Sequence, residues 1–148
     1  MKSLLFSLIF TLSGFFSFSQ KNVDLFATDF YGFTMTIDEL IYFMNTDSTQ
    51  NKWSYMESYE SDYFMVFNIN FKENNVISSV DEGDTLNNYQ IISKNILNNK
   101  NIYLSVSDSN GKSQMVVIYK NNEPYRFMIY HIDGTYAIGY ISKNVSLL

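Results

Sequence analysis

His131 is the only histidine of the chain, so any imidazole chemistry has one place to occur. A catalytic imidazole needs a nucleophile beside it, and the sequence carries no Gly-x-Ser-x-Gly elbow. A histidine metal pair needs a second imidazole, which is missing. Strand alternation puts His131 on one face with Tyr125, Phe127 and Ile129, next to an Asp-Gly turn. That is the setting of a strand-end histidine rather than of a general base.

Carboxylates form two further clusters. Asp81, Glu82 and Asp84 bracket Gly83 in a short acidic loop, and oxygen ligands in a flexible loop suit calcium. The ligand spacing of an EF-hand is absent, so the loop reads as a solvated turn. Glu57, Glu60 and Asp62 lie near Trp53, Tyr55 and Tyr59, which is the raw material of a carbohydrate site. Two catalytic carboxylates must face each other across a cleft about 5–10 Å wide, and a chain this small has little material to build one. Phosphate loops and dinucleotide fingerprints are missing, and with no cysteine there is no zinc-thiolate site or cysteine nucleophile. The expectation is a protein that is not an enzyme and holds no metal or cofactor.

The first residues give an address. Lys2 is followed by an apolar run, Leu4 to Phe16, and then by Ser17-Phe18-Ser19, with small residues at the positions a signal peptidase reads. The run is too short for a transmembrane helix. The reading is a signal peptide over 1–19 and a single β-rich domain over 20–148, exported to the periplasm or secreted. Without Lys2 the net charge moves from −5 to −6. An acidic domain with no basic run repels nucleic acid and anionic lipid. Nucleic acid and membrane insertion are thus not expected, and the reading is an exported barrel that binds a small apolar ligand or peptide, with a protein–protein interaction module as the alternative.

The rest of the chain reads as strands. Tyr125–Ile132 and Thr135–Ser142 flank Asp133-Gly134, which suits a two-residue type I′ hairpin loop. Ile102–Ser107 and Gln114–Lys120 flank a second tip, Asp108–Lys112, and residues 120–124, with the only proline, turn the chain between the two hairpins. Tyr63–Phe71, Val76–Val80 and Asn88–Lys94 precede them, giving seven strands with no helix between. In the first of these, Phe67, Ile69 and Phe71 point one way, Asn68 and Asn70 the other. Asp29–Thr36 adds an eighth. Thr36-Ile37-Asp38-Glu39 matches a capping box and starts a short helix, about Ile37 to Met44. Lys52–Asp62 reads as a strand on the alternation of Trp53, Tyr55 and Glu57.

The fold class expected is mainly β: an antiparallel up-and-down meander of about eight strands, closed or strongly curved into a small barrel, with one short N-terminal helix. The consecutive hairpins from Tyr63 to Ser142 resemble in outline the lipocalin-like barrels. The Gly-x-Trp signature of that family is missing, since Trp53 follows Asn51-Lys52. The resemblance therefore covers strand count and order and transfers no binding residue. Both faces of the strands from Met115 to Tyr140 are apolar, as expected where a sheet closes on itself and is also covered outside, or where it holds a ligand. The candidate ligand-binding residues are Phe127, Ile129 and His131 on one strand and Ala137, Gly139 and Ile141 on the next. The small Ala137 and Gly139 would leave room beside the larger side chains. A glycine inside a strand also suggests a bulge or close packing at Gly139.

Overall fold

The computed structural model describes residues 21–45, 57–58, 64–80 and 84–148. The sequence-predicted signal peptide, most of the acidic loop and most of Lys52–Asp62 lie outside the described residues. Among the described residues nine strands and one helix follow in chain order: β1 (Val23–Thr36), α1 (Ile37–Asn45), β2 (Glu57–Ser58), β3 (Met65–Asn70), β4 (Asn75–Val80), β5 (Thr85–Ile96), β6 (Ile102–Asp108), β7 (Gly111–Lys120), β8 (Glu123–Asp133) and β9 (Tyr136–Leu147). Strands β3 to β9 pair with their sequence neighbours, and β1 joins β3 on one edge and β9 on the other. The result is a closed, antiparallel, eight-stranded up-and-down barrel. The two-residue β2 is a short addition to β1 at Tyr31 and Gly32.

Turn chemistry sets the register. Asn121 and Asn122, with φ of 51° and 67°, form the two-residue loop between Lys120 and Glu123. Positive φ at both central positions is what a type I′ turn demands, and asparagine tolerates it. The predicted turn over 120–124 is therefore shorter than expected. Pro124 already belongs to β8, where a register shift against β7 lets a residue without an N–H sit in a strand. The β8–β9 loop also departs from expectation. Asp133 pairs with Tyr136, so the loop residues are Gly134 and Thr135, and only Gly134 has positive φ (60°). This is the pattern of a type II′ turn rather than the expected type I′ Asp133-Gly134 loop. Several strands are also longer than their propensity alone suggests: β1 begins at Val23 and β5 runs through Ile96.

The barrel interior holds the main core, with Leu25, Phe67, Ile69, Val76, Leu104, Val106, Met115 and Phe127 all buried. A second core lies outside the barrel wall. There α1 lays Leu40 and Phe43 on Phe33, Met35, Val116, Ile118, Met128, Ala137 and Ile141. This answers the two-sided apolarity of the central strands: one face fills the barrel and the other is covered by the helix.

A single backbone feature divides β1 between the two cores. Leu25 and Ala27 belong to the inner core, and two residues further on the inner position would be Asp29. Instead Asp29 takes φ of 54°, the next residue Phe30 turns inward, and Phe33 and Met35 turn outward to meet the helix. Strand β9 changes face at the same level, with Val145 packed inward and Ile141 and Ala137 outward. Side-chain hydrogen bonds secure the switch: Ser142 Oγ donates to Thr28 O, and Asn144 Nδ2 donates to Asp29 Oδ2.

The helix is fastened at both ends. At its start Glu39 N donates to Thr36 Oγ1 at 3.3 Å, and Thr36 N donates to Glu39 Oε2 at 2.9 Å, the reciprocal pair of the expected capping box. At its end Arg126, only 2% exposed, donates from Nη1 to Phe43 O at 2.9 Å. Its guanidinium carbon sits 4.6 Å from the ring centres of both Phe43 and Tyr125. A buried cation is thus held by a carbonyl of the last helical turn and two aromatic faces.

On β3 to β5 the outward positions include Asn68, Asn70, Ser79, Asn88 and Gln90. Among the described residues no helix is long and apolar enough to cross a membrane.

Candidate functional site

The two halves of the barrel differ. Toward the ends of β3 and β4 that meet Phe71 and Val76, the interior is filled by Phe71, Val76, Ile102, Val117 and the partly buried Tyr119. Toward the other end lies a cavity of about 460 Å³. Its walls come from the start of β3 (Met65, Phe67), the end of β4 (Val80), the start of β5 (Asn87, Tyr89), Ser113 of β7 and Phe30 of β1. Strands β8 and β9 complete it with Ile129, Tyr130, His131, Ile138, Gly139 and Tyr140. Because neighbouring strands are antiparallel, starts and ends alternate around one rim, and all these residues meet at one end of the barrel.

Phe67 and Phe127 set the depth. Their ring centres are 4.2 Å apart with planes tilted by 34°. Phe67 lines the cavity, whereas Phe127, fully buried on the opposing wall, does not. The ring pair forms a floor between the open and the filled half.

The six sequence-predicted residues divide by face. Ile129 and His131 line the cavity, and Phe127 supports its floor. Gly139 also reaches it, through its main chain. Ala137 and Ile141 do not: both are buried in the outer core beneath α1. The reason is the loop. A two-residue hairpin loop pairs odd-numbered residues of β8 with even-numbered residues of β9, so Phe127, Ile129 and His131 stand opposite Ser142, Tyr140 and Ile138. The small residues expected to make room beside Phe127 and Ile129 are on the other side of the sheet. Gly139 has a different task, since a Cβ there would lie 2.1 Å from Ile129 O and 2.6 Å from Tyr130 Cα. The glycine lets two backbones approach, the close packing that its place in a strand suggested.

Residues that the sequence reading missed supply most of the cavity wall. Phe30, Met65, Phe67, Val80, Tyr89 and Ile138 are spread over five strands, and no local spacing connects them. Their shared signal is position: each occupies an inward-facing place near the same rim, which becomes visible only once the closed register is known.

The wall carries a few polar residues among apolar ones, Asn87, Ser113, His131, Tyr89 and Tyr140, while Tyr130 borders it from β8 with its ring packed on the outer core beside Phe33. Burial pushes the Tyr89 phenol above its ordinary pKa, and the negative charge of Asp108 adds to the rise. Tyr130 is raised by burial and by neighbouring Tyr103. Both stay neutral donors at physiological pH. No lysine, arginine, aspartate or glutamate lines the cavity among the described residues. Described residues also form no group of three or more histidine, cysteine or acidic side chains able to hold a metal ion. No protein family, curated protein or solved structure matches the chain.

Proposed function

We propose that the protein is an exported, non-enzymatic barrel that binds a small apolar ligand in its open end. The observation that carries this reading is the cavity of about 460 Å³ above the Phe67–Phe127 floor. Ligand sites run to about 300–1,000 Å³ and are walled by apolar and aromatic side chains with a few polar groups. A fold that meets its stability needs by burial would fill such a space, as this barrel does in its other half. Export rests on the charged and apolar pattern of residues 1–19, and the binding role is proposed over catalysis because the wall is mainly apolar and aromatic, with Asn87, Ser113 and His131 among its few polar residues.

A second reading has its own observation. Ile132 and Tyr136 are each nearly half exposed on the β8–β9 hairpin, and such side chains suit a protein partner. The test separates the two. A hydrophobic fluorescent dye titrated into purified protein should bind at one site, and Ile138→Trp, which enlarges a half-buried wall residue, should abolish uptake while the fold survives. Dye uptake that is unaffected by Ile138→Trp, or no uptake at all, would leave the hairpin surface as the functional face.

A further inference from the structure

Charge divides along the barrel axis. Round the open end stand Asp84 just before β5, Asp108 at the end of β6 and Asp133 at the end of β8. Asp38 and Glu39 lie at the same end, because Ile37 N donates to Thr135 O at 3.2 Å and ties the start of α1 to the β8–β9 loop. Among the described residues Lys112 is the one lysine or arginine there. Lys21, Lys72, Lys100 and Lys120 are at the filled end, mixed with Asp24, Glu73 and Glu123. The negative pole therefore surrounds the mouth of the cavity, and its field reaches the wall, where Asp108 adds to the rise in the Tyr89 pKa. The wall also grades with depth. Phe30, Phe67 and Tyr89 are buried. Asn87, Ser113 and His131 each stand two residues nearer the rim than Tyr89, Met115 and Ile129 of their own strands, and they are half-buried or exposed.

Resting on the binding reading above, we infer that the cavity takes a cationic amphiphile, an amine whose apolar body enters first and whose ammonium head stays at the mouth. The body matches the buried aromatic wall and the Phe67–Phe127 floor. Asn87 and Ser113 each carry an oxygen that accepts from N–H, which suits an ammonium near the rim. A head held there keeps most of its water and avoids the cost of burying an ion. The surrounding carboxylates draw a cation to the opening and repel an anion, and a cleft with low-dielectric walls focuses that field. An anionic amphiphile of the same shape meets the field with the wrong sign.

Isothermal titration of the purified protein at pH 8 and low salt with phenylbutylamine, phenylbutanol and phenylbutyrate tests this, because the three share one apolar body. The amine should bind about tenfold more tightly than the acid, with the alcohol between them, the size expected of several screened charges within about a Debye length. Salt at about 0.5 M should bring the three together. Asp108→Asn combined with Asp133→Asn should weaken the amine about threefold and leave the alcohol unchanged. The amide at 108 keeps an Oδ1 acceptor for Asn110 N, now 2.8 Å from the Asp108 carboxylate, so the hairpin turn survives. If none of the three binds, the cavity reading itself falls. If the alcohol binds but the acid equals the amine, or the double variant weakens amine and alcohol alike, the charge preference is wrong and the cavity stands. An amine preference that persists undiminished in high salt would also overturn it, and that arm decides the matter should the double variant fail to fold.

Discussion

Gly139→Ala should destabilise the barrel far more than one methyl group suggests. The new Cβ would lie 2.1 Å from Ile129 O and 2.6 Å from both Tyr130 Cα and Tyr130 Cβ. No rotamer change relieves contacts made by backbone, and β8 cannot simply move away. Tyr130 is paired with Gln114 of β7 on its other side, so the strand is held between two neighbours. The barrel must open by roughly an ångström or twist locally, and overpacking of this kind costs about 1–3 kcal/mol. For a domain of this size that is a fall of about 3–10 °C in melting temperature. Gly134→Ala is the control: a Cβ there meets nothing within 4 Å, and only its φ of 60° opposes the change. Its cost should be about 1 kcal/mol, from left-handed backbone alone. Thermal melts followed by circular dichroism compare the two. If Gly139→Ala melts within a degree of the parent, β8 and β9 do not approach as closely as described. If Gly134→Ala is the more damaging variant, the steric argument is reversed.

Arg126→Met keeps the aliphatic stem but leaves Phe43 O without its donor and removes the cation from between two rings. A loss of about 1–3 kcal/mol is expected, with faster amide exchange confined to α1; unchanged exchange in residues 37–45 would deny the fastening role. Tyr89 gives a pH dependence. Its folded pKa lies above the ordinary 10.0, so the unfolded chain loses this proton first as pH rises. The contribution is intact below pH 10 and declines above it, and Tyr89→Phe should flatten the alkaline fall in melting temperature; an equally steep fall in the variant would contradict this. N-terminal sequencing of exported protein should begin at Gln20, and a start at Met1 would refute the cleavage reading.

How far the sequence could be read depended on the range of the signal. The hairpins, the capping box at Thr36 and Glu39, and the count of eight strands were legible because each depends on neighbours in the chain. Turn residues were placed to within one position, and that one position moved the β8–β9 loop from Asp133-Gly134 to Gly134-Thr135. The face assignment was harder. Nothing local announces that Asp29 adopts φ of 54° and reverses the faces of β1, since aspartate is common in ordinary strand ends too. Ala137 and Ile141 lie on the outer side, where the small Ala137 gives the helix room to pack, so a small residue in a strand is no sign of empty space. Of the candidate site, Ile129 and His131 could be found from β8 alone. Phe30, Met65 and Phe67 could not, because only barrel closure brings them to the same rim.

The central claim is that the space above Phe67 and Phe127 receives a guest. A crystal structure of the protein grown with 4-bromobutylbenzene tests it most directly, because bromine is located independently of the surrounding density. One anomalous peak is expected inside the barrel, in contact with Phe67, Ile129 and Ile138. A peak found only on the outer surface, or an interior closed over by its own side chains in protein saturated with the compound, would contradict it.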